Sequence, residues 1–228
     1  MQFDIAHEAD NILEELHAKL ENNNVDADNN NGKIKVVANG EAIIDGTKEK
    51  KPRGYDLISS FYCLHWIPNQ RLALENIHKL LKPGGDALLV LLAKSPVFSL
   101  YDKLSGLATW KEYMQDVENF ISPYHRSEDP LRDFLDLISD VGFETVKLEC
   151  RERNYIFQST SSLRNAIIAV NPFISRIPNH LHEQFITDCL KETEKMKLTE
   201  LKNNGYKVTY KLLVAHLRRS PETMNATK

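Results

Sequence analysis

The sequence predicts an α/β fold, an open and mostly parallel sheet with helices on both faces, and three observations carry that reading. From Tyr55 to Ala93, YDLISSFYCLHWIPNQRLALENIHKLLKPGGDALLVLLA reads as a strand, a loop, an amphipathic helix, a glycine stop and a second strand, which is one βαβ unit. The second strand, ALLVLLA at 87–93, is apolar without alternation, as expected of a parallel strand covered on both faces. Helical and strand-like patterns then follow one another as far as residue 217.

Composition narrows the function classes. The 228 residues are 42% hydrophobic and 27% charged, enough for an ordinary core without disulfide or metal staples. A net charge of -3 offers no basic footprint for nucleic acid. The acidic opening MQFDIAHEAD does not read as a signal peptide, and the longest apolar run, at 87–93, is too short to cross a bilayer. Cys63, Cys150 and Cys189 are odd in number and share no metal-ligand spacing, so reduced thiols in a cytoplasmic protein without a bound metal are expected. Oligomeric state is not legible.

In chain order, residues 1–5 read as a short strand, and 8–20 as a helix with Ile12, Leu13, Leu16 and Leu20 on one face. The tract NNNVDADNNNG at 22–32 buries too little apolar surface to offset its ordering entropy, so a flexible insertion is expected over about 22–53. Within it, Asn39-Gly40 suits a small hairpin, and the basic run at 48–53 reads as a solvated loop. A strand at 56–61 leads to a helix opened by Pro68-Asn69, with Leu74, Ile77 and Leu81 on its inner face. Lys82-Pro83-Gly84-Gly85 is expected to close that helix, glycine supplying the left-handed backbone.

After Pro96 the pattern turns helical and aromatic, with Phe98, Tyr101, Trp110, Tyr113, Phe120 and Tyr124. An amphipathic helix at 129–141 is stopped by Gly142, and a long strand follows at 143–157. Helices at 161–170 and 181–197 precede a final β-rich segment at 207–217. One domain over 1–218 with a disordered tail at 219–228 is the expected organisation.

The segments SFYCLHW, LKPGG, ENFISPY, SEDP, DVGF, CRER, AVNPF and YKLLVA, in this order across residues 54–217, resemble the juvenile hormone acid methyltransferases, a group of S-adenosylmethionine-dependent class I enzymes. The resemblance implies a Rossmann-like class I methyltransferase sheet with a C-terminal antiparallel hairpin. Residues 1–5 would be its third strand and 207–217 its last. The family's first two strands, its glycine-rich turn and the acidic residue ending its second strand find no counterpart, so weak S-adenosylmethionine binding by the chain is expected. The stretch between Ile5 and Gly54 is also longer than the family's connection.

Site residues follow from the resemblance and from chemistry. Asp4 would accept the adenine amino group while the Ile5 amide donates to a ring nitrogen. Ser60, Phe61 and Tyr62, at the carboxyl end of a parallel strand, would line the methionine portion, where an aromatic face attracts a sulfonium. Trp66 is the expected substrate residue, since its indole nitrogen donates and cannot accept, which suits a carboxylate oxygen in an apolar pocket. His65 would orient the same acid. No catalytic residue is required, because the carboxylic acid is already ionised at neutral pH and position alone aligns the displacement.

Two function classes result. One is carboxyl O-methylation of a lipophilic, sesquiterpenoid acid such as a farnesoic or juvenile hormone acid, with the aromatic stretch at 97–124 as a lid. The other is an inactive homologue that binds an apolar ligand or a partner.

Overall fold

A computed structural model of the chain describes residues 54–202 and 205–221. All of them belong to one compact unit. The expectations for 1–53, including those for Asp4 and Ile5, and most of the expected tail lie outside the described residues.

The βαβ unit forms as read. Strand β1 (Tyr55–Phe61) leads through a loop to helix α1 (Gln70–Leu80), and strand β2 (Leu81–Lys94) returns parallel to β1, with Ile58 opposite Ala87 and Phe61 opposite Val90. Asn69 caps α1, its side chain accepting from the Leu72 amide at 3.0 Å.

The LKPGG segment departs from expectation. Helix α1 ends at Leu80, Leu81 is already extended, and the glycines belong to the start of β2 rather than to the helix cap. Tyr55 pairs with Leu81 and Leu57 with Asp86, so residues 82–85 bulge out of the ladder. Gly84 takes φ +80° within that bulge. At Gly85 a Cβ would lie 2.9 Å from the Tyr55 carbonyl oxygen, so the close approach of the two strands admits only glycine.

Helix α2 (Pro96–Ser105) follows with proline in its first turn, and two short 3-10 turns at Lys111–Tyr113 and Val117–Phe120 carry the chain to helix α3 (Pro130–Val141). Asp129 caps α3 and Gly142, at φ +97°, stops it as the sequence indicates. Strand β3 (Phe143–Phe157) has the expected bounds. Helix α4 (Thr160–Val170) opens on a reciprocal Ser159–Ser162 capping box. Helix α5 (His182–Lys195), the short strand β4 (Glu200–Lys202) and strand β5 (Gly205–Arg219) complete the described fold.

The sheet order is β1-β2-β5-β3, with β4 also beside β5. Strand β5 is antiparallel to both β2 and β3, so the last strand inserts between two strands that run parallel to each other. Asp86 faces Arg218 across the β2–β5 ladder and bonds its guanidinium at 2.9 Å, which pins that register.

On one face of the sheet, Ile58, Leu89, Leu91, Leu213 and Ala215 pack beneath Leu74 and Ile77 of α1 and Phe134 and Ile138 of α3. The opposite side chains Leu88, Val90 and Leu212 are equally buried, which accounts for the unbroken apolar run of β2. Helices α2, α4 and α5 form a second helical layer. Tyr101 meets Phe173 edge to face and Trp110 meets Phe185, so the aromatic stripe of the sequence is largely the packing of this layer. No helix among the described residues is long and apolar enough to cross a membrane.

Substituting Gly85→Ala is expected to lower stability by about 1–3 kcal/mol, the usual effect of overpacking. Urea denaturation of the purified chain measures it, and an unchanged midpoint would show that the bulge tolerates a side chain.

Candidate functional site

Strand β2 outlasts β1, and the site is built around that mismatch. The Tyr62 amide makes the last bond of the β1 side, donating to the Val90 carbonyl at 2.8 Å. Two residues further along β2, the peptide groups of Leu92 face no strand. The Leu92 amide instead donates to His65 Nδ1 at 3.4 Å, and its carbonyl accepts from Ser122 Oγ at 2.8 Å. The loop after β1 and the turn at Ser122 are thereby fastened to one residue at the carboxyl end of the sheet, where open α/β sheets bind ligands.

Local chemistry shapes that loop. Tyr62 takes φ +53°, turning the chain out of the strand, and Leu64–Trp66 forms a 3-10 turn. Gln70, buried at the head of α1, donates from Nε2 to the carbonyls of Leu64 at 2.7 Å and Ile67 at 2.6 Å. Its Oε1 accepts from the Tyr124 hydroxyl at 3.3 Å. This one side chain thus ties two carbonyls of the loop to the Tyr124 hydroxyl.

His65 and Trp66 are brought together, their ring centroids 4.6 Å apart, with the Trp66 ring edge-on to Phe98 at 5.9 Å. His65 is 2% exposed, and burial pushes its pKa down to about 3. It is therefore a neutral imidazole. Because Nδ1 accepts from Leu92, the ring proton resides on Nε2, which makes His65 a fixed donor. Trp66 is 37% exposed, and its indole nitrogen has no hydrogen-bond partner among the described residues. The fully buried Trp110, by contrast, donates to Asp188 at 3.1 Å.

The other expected residues are placed less simply. Phe61 is half-buried at the end of β1, its carbonyl accepting from Cys63 Sγ at 3.2 Å, while the Tyr62 amide is taken by Val90. The Tyr62 amide is thus used by the sheet, and the Phe61 carbonyl keeps one lone pair. Ser60 is 5% exposed and lines a cavity of about 340 Å³ between β1 and α1, together with Ile58, Leu64, Ile67, Ala73 and Ile77. Its hydroxyl is buried there without a hydrogen-bond partner. Gln70 and Ser122 were not singled out by the sequence; only their distant partners reveal them.

The depressed His65 pKa has a stability consequence. Below about pH 6.5 the unfolded chain protonates this histidine while the folded chain does not. The unfolded state then binds more protons, so folding stability falls as pH falls, down to about pH 3. The decline attributable to His65 is about 1.4 kcal/mol per pH unit at most. His65→Asn keeps an acceptor for Leu92 but cannot titrate, so its denaturation midpoint is expected to vary less with pH over that window than the native chain's. Equal pH dependence would show that His65 is charged in the fold.

Several known proteins are similar to this chain. A family model described as a methyltransferase domain matches residues 2–148. The juvenile hormone acid O-methyltransferase of Drosophila melanogaster is 43% identical over 175 residues, 75% of this chain and 59% of that protein. That of Bombyx mori is 34% identical over 173 residues, 73% of this chain and 62% of that protein. The chain spans about three fifths of the length of these two relatives. Among solved structures, a phosphoethanolamine N-methyltransferase of Haemonchus contortus aligns over 76% of this chain and 35% of that chain, at 14% identity and a TM-score of 0.37. With its family model matched over more than half its length and its sheet built as the motifs require, the chain belongs to the methyltransferase-domain family.

Proposed function

We propose that the protein acts as an S-adenosylmethionine-dependent O-methyltransferase on the carboxylate of a lipophilic, sesquiterpenoid acid of the farnesoic or juvenile hormone acid kind. The observation that carries this reading is the pair of adjacent neutral donors, His65 Nε2 and Trp66 Nε1, at the carboxyl end of β1. Two N–H groups with no acceptor capacity, in partly apolar surroundings beside Phe98, suit the two oxygens of a carboxylate. The two insect relatives, named for the same class of acid, support the choice of substrate.

S-adenosylmethionine, when bound, supplies an electrophilic methyl group on a sulfonium. Phe61 and Tyr62 are suited to its methionine portion as aromatic groups at the strand end, with Asp4 and Ile5 proposed for the adenine edge. Trp66 and His65 hold the carboxylate so that the attacking oxygen keeps a lone pair turned toward the methyl group. The acid is ionised at neutral pH, so the chain's residues move no proton. Their contribution is alignment and exclusion of water.

Incubating the full chain with methyl-labelled S-adenosylmethionine and farnesoic acid is expected to give the labelled methyl ester only slowly and at high cofactor concentration, since weak S-adenosylmethionine binding is expected of this chain. Acid binding without ester would favour a ligand-binding role, to which the apolar cavity beside β1 also lends itself, and binding of neither acid nor cofactor would overturn the proposal. Trp66→Phe is expected to weaken acid binding by about 1.5–3 kcal/mol, the loss of one hydrogen bond to a charged acceptor, with cofactor binding unchanged. Unchanged affinity for the acid would reduce Trp66 to a packing residue.

A further inference from the structure

The cavity of about 340 Å³ between β1 and α1 has a shape and a charge that the methyl-transfer reading does not use. Its helical wall is one stripe of α1, Ala73, Asn76, Ile77 and Leu80, at spacings i, i+3, i+4 and i+7, and Ile58 of β1 belongs to the facing wall. From Ala73 to Leu80 the helix rises about 1.5 Å per residue, so the cavity is a trench roughly 10 Å long. Leu64 and Ile67, held at the head of α1 by Gln70, close one end. At the other end, in the last turn of the helix, stands Lys79, the one cation among the lining residues. Its exposed ammonium lies 3.7 Å from Glu75, a loose contact to a residue that does not line the trench. Packed interiors leave few voids larger than a water molecule, whereas small-molecule sites begin at about 300 Å³.

We infer that this trench is a second site for a lipophilic monocarboxylic acid, its chain lying along Ala73, Ile77 and Leu80 and its carboxylate at Lys79. An apolar floor with a single cation at one end is complementary to an apolar tail with a single anionic head, and it disfavours a neutral lipid by comparison. The Asn76 amide, next along the same stripe, supplies a second donor for the head group. The Ser60 hydroxyl is shielded from solvent and takes no part. His65 and Trp66 do not line the trench, so the site is separate from the donors proposed for methyl transfer and does not depend on them. The two sites nevertheless share a turn. Leu64 and Ile67 face the trench while His65 and Trp66 pack toward Phe98, so an acid in the trench rests against the reverse side of the turn that carries the donors.

Calorimetric titration of the full chain with farnesoic acid tests the trench by stoichiometry. Two acids per chain are expected, one in the trench and one at Trp66. Ala73→Trp, whose indole fills the void, is expected to lose the trench acid and keep the other, whereas Trp66→Phe leaves the trench acid unchanged. Lys79→Glu, at an exposed side chain, is expected to weaken the trench acid about fivefold or more. Acid binding that ignores Ala73→Trp would overturn the inference and leave the proposed function standing. A single acid, lost in Ala73→Trp and indifferent to Trp66→Phe, would remove the proposed function and leave the inference. Loss in Ala73→Trp without any effect of Lys79→Glu would make the trench a site for neutral lipids and overturn the acid as its occupant. A chain that binds no acid would remove both readings. Should Ala73→Trp fail to fold, Lys79→Glu decides alone, and native affinity at both acids in that variant would overturn the inference.

Discussion

The backbone of Leu92 is the constraint on which the site depends. A parallel ladder satisfies peptide groups only as far as both strands run, and β1 ends at Phe61, opposite Val90. An unmatched buried peptide group costs about 1–3 kcal/mol, so the two orphaned groups of Leu92 had to find partners outside the sheet. His65 and Ser122 supply them from segments on either side of β2 in sequence. The consequence is geometric: the loop that carries Trp66 and the turn at Ser122 are both referenced to one rigid point of the sheet. Positions held by a strand are defined more closely than positions held by loops alone.

Much of this fold was legible because its signals are local. Strand β3 has the bounds that β propensity and the Gly142 stop indicate, and Gly142 takes the left-handed conformation its place after a periodic helix implies. The LKPGG segment was misread for a physical reason. A glycine just after a helical pattern looks the same whether it caps the helix or relieves a bulge, and Leu81 fits both the helix face and the start of a strand. Only the pairing of Tyr55 with Leu81 and of Leu57 with Asp86, a long-range fact, separates the alternatives. The aromatic stretch after Pro96 was ambiguous in the same way. Phe98, Tyr101 and Trp110 are wholly buried, and rings at helical spacing carry no mark that distinguishes core from pocket.

The site was legible at one end. Trp66 stands out because a donor-only aromatic follows a buried strand, and both features are read within a dozen residues. Gln70 and Ser122 do not stand out, since each is an ordinary polar residue whose task is defined by a partner far along the chain. Gln70 meets Tyr124 across 54 positions, and Ser122 meets Leu92 across 30. His65 lay between these cases. Its place beside Trp66 suggested an acid-orienting role, while its tautomer and its lack of charge follow only from the contact with Leu92.

That lack of charge bears on how the site would favour the proposed methyl transfer. As a methyl group passes to a carboxylate, negative charge leaves the attacking oxygen, so a group that binds the full charge strongly stabilises the ground state more than the transition state. An arginine or lysine would do this, since charge-assisted pairs are about twice as strong as neutral hydrogen bonds. Interactions raise the rate only when they are stronger in the transition state than before it. Neutral N–H donors meet that condition more nearly: they orient the oxygens, lose comparatively little as the charge fades, and bring no charged partner that must be desolvated. The burial that keeps His65 uncharged is therefore consistent with catalysis by position, and it arises from the same packing that matches the end of β2.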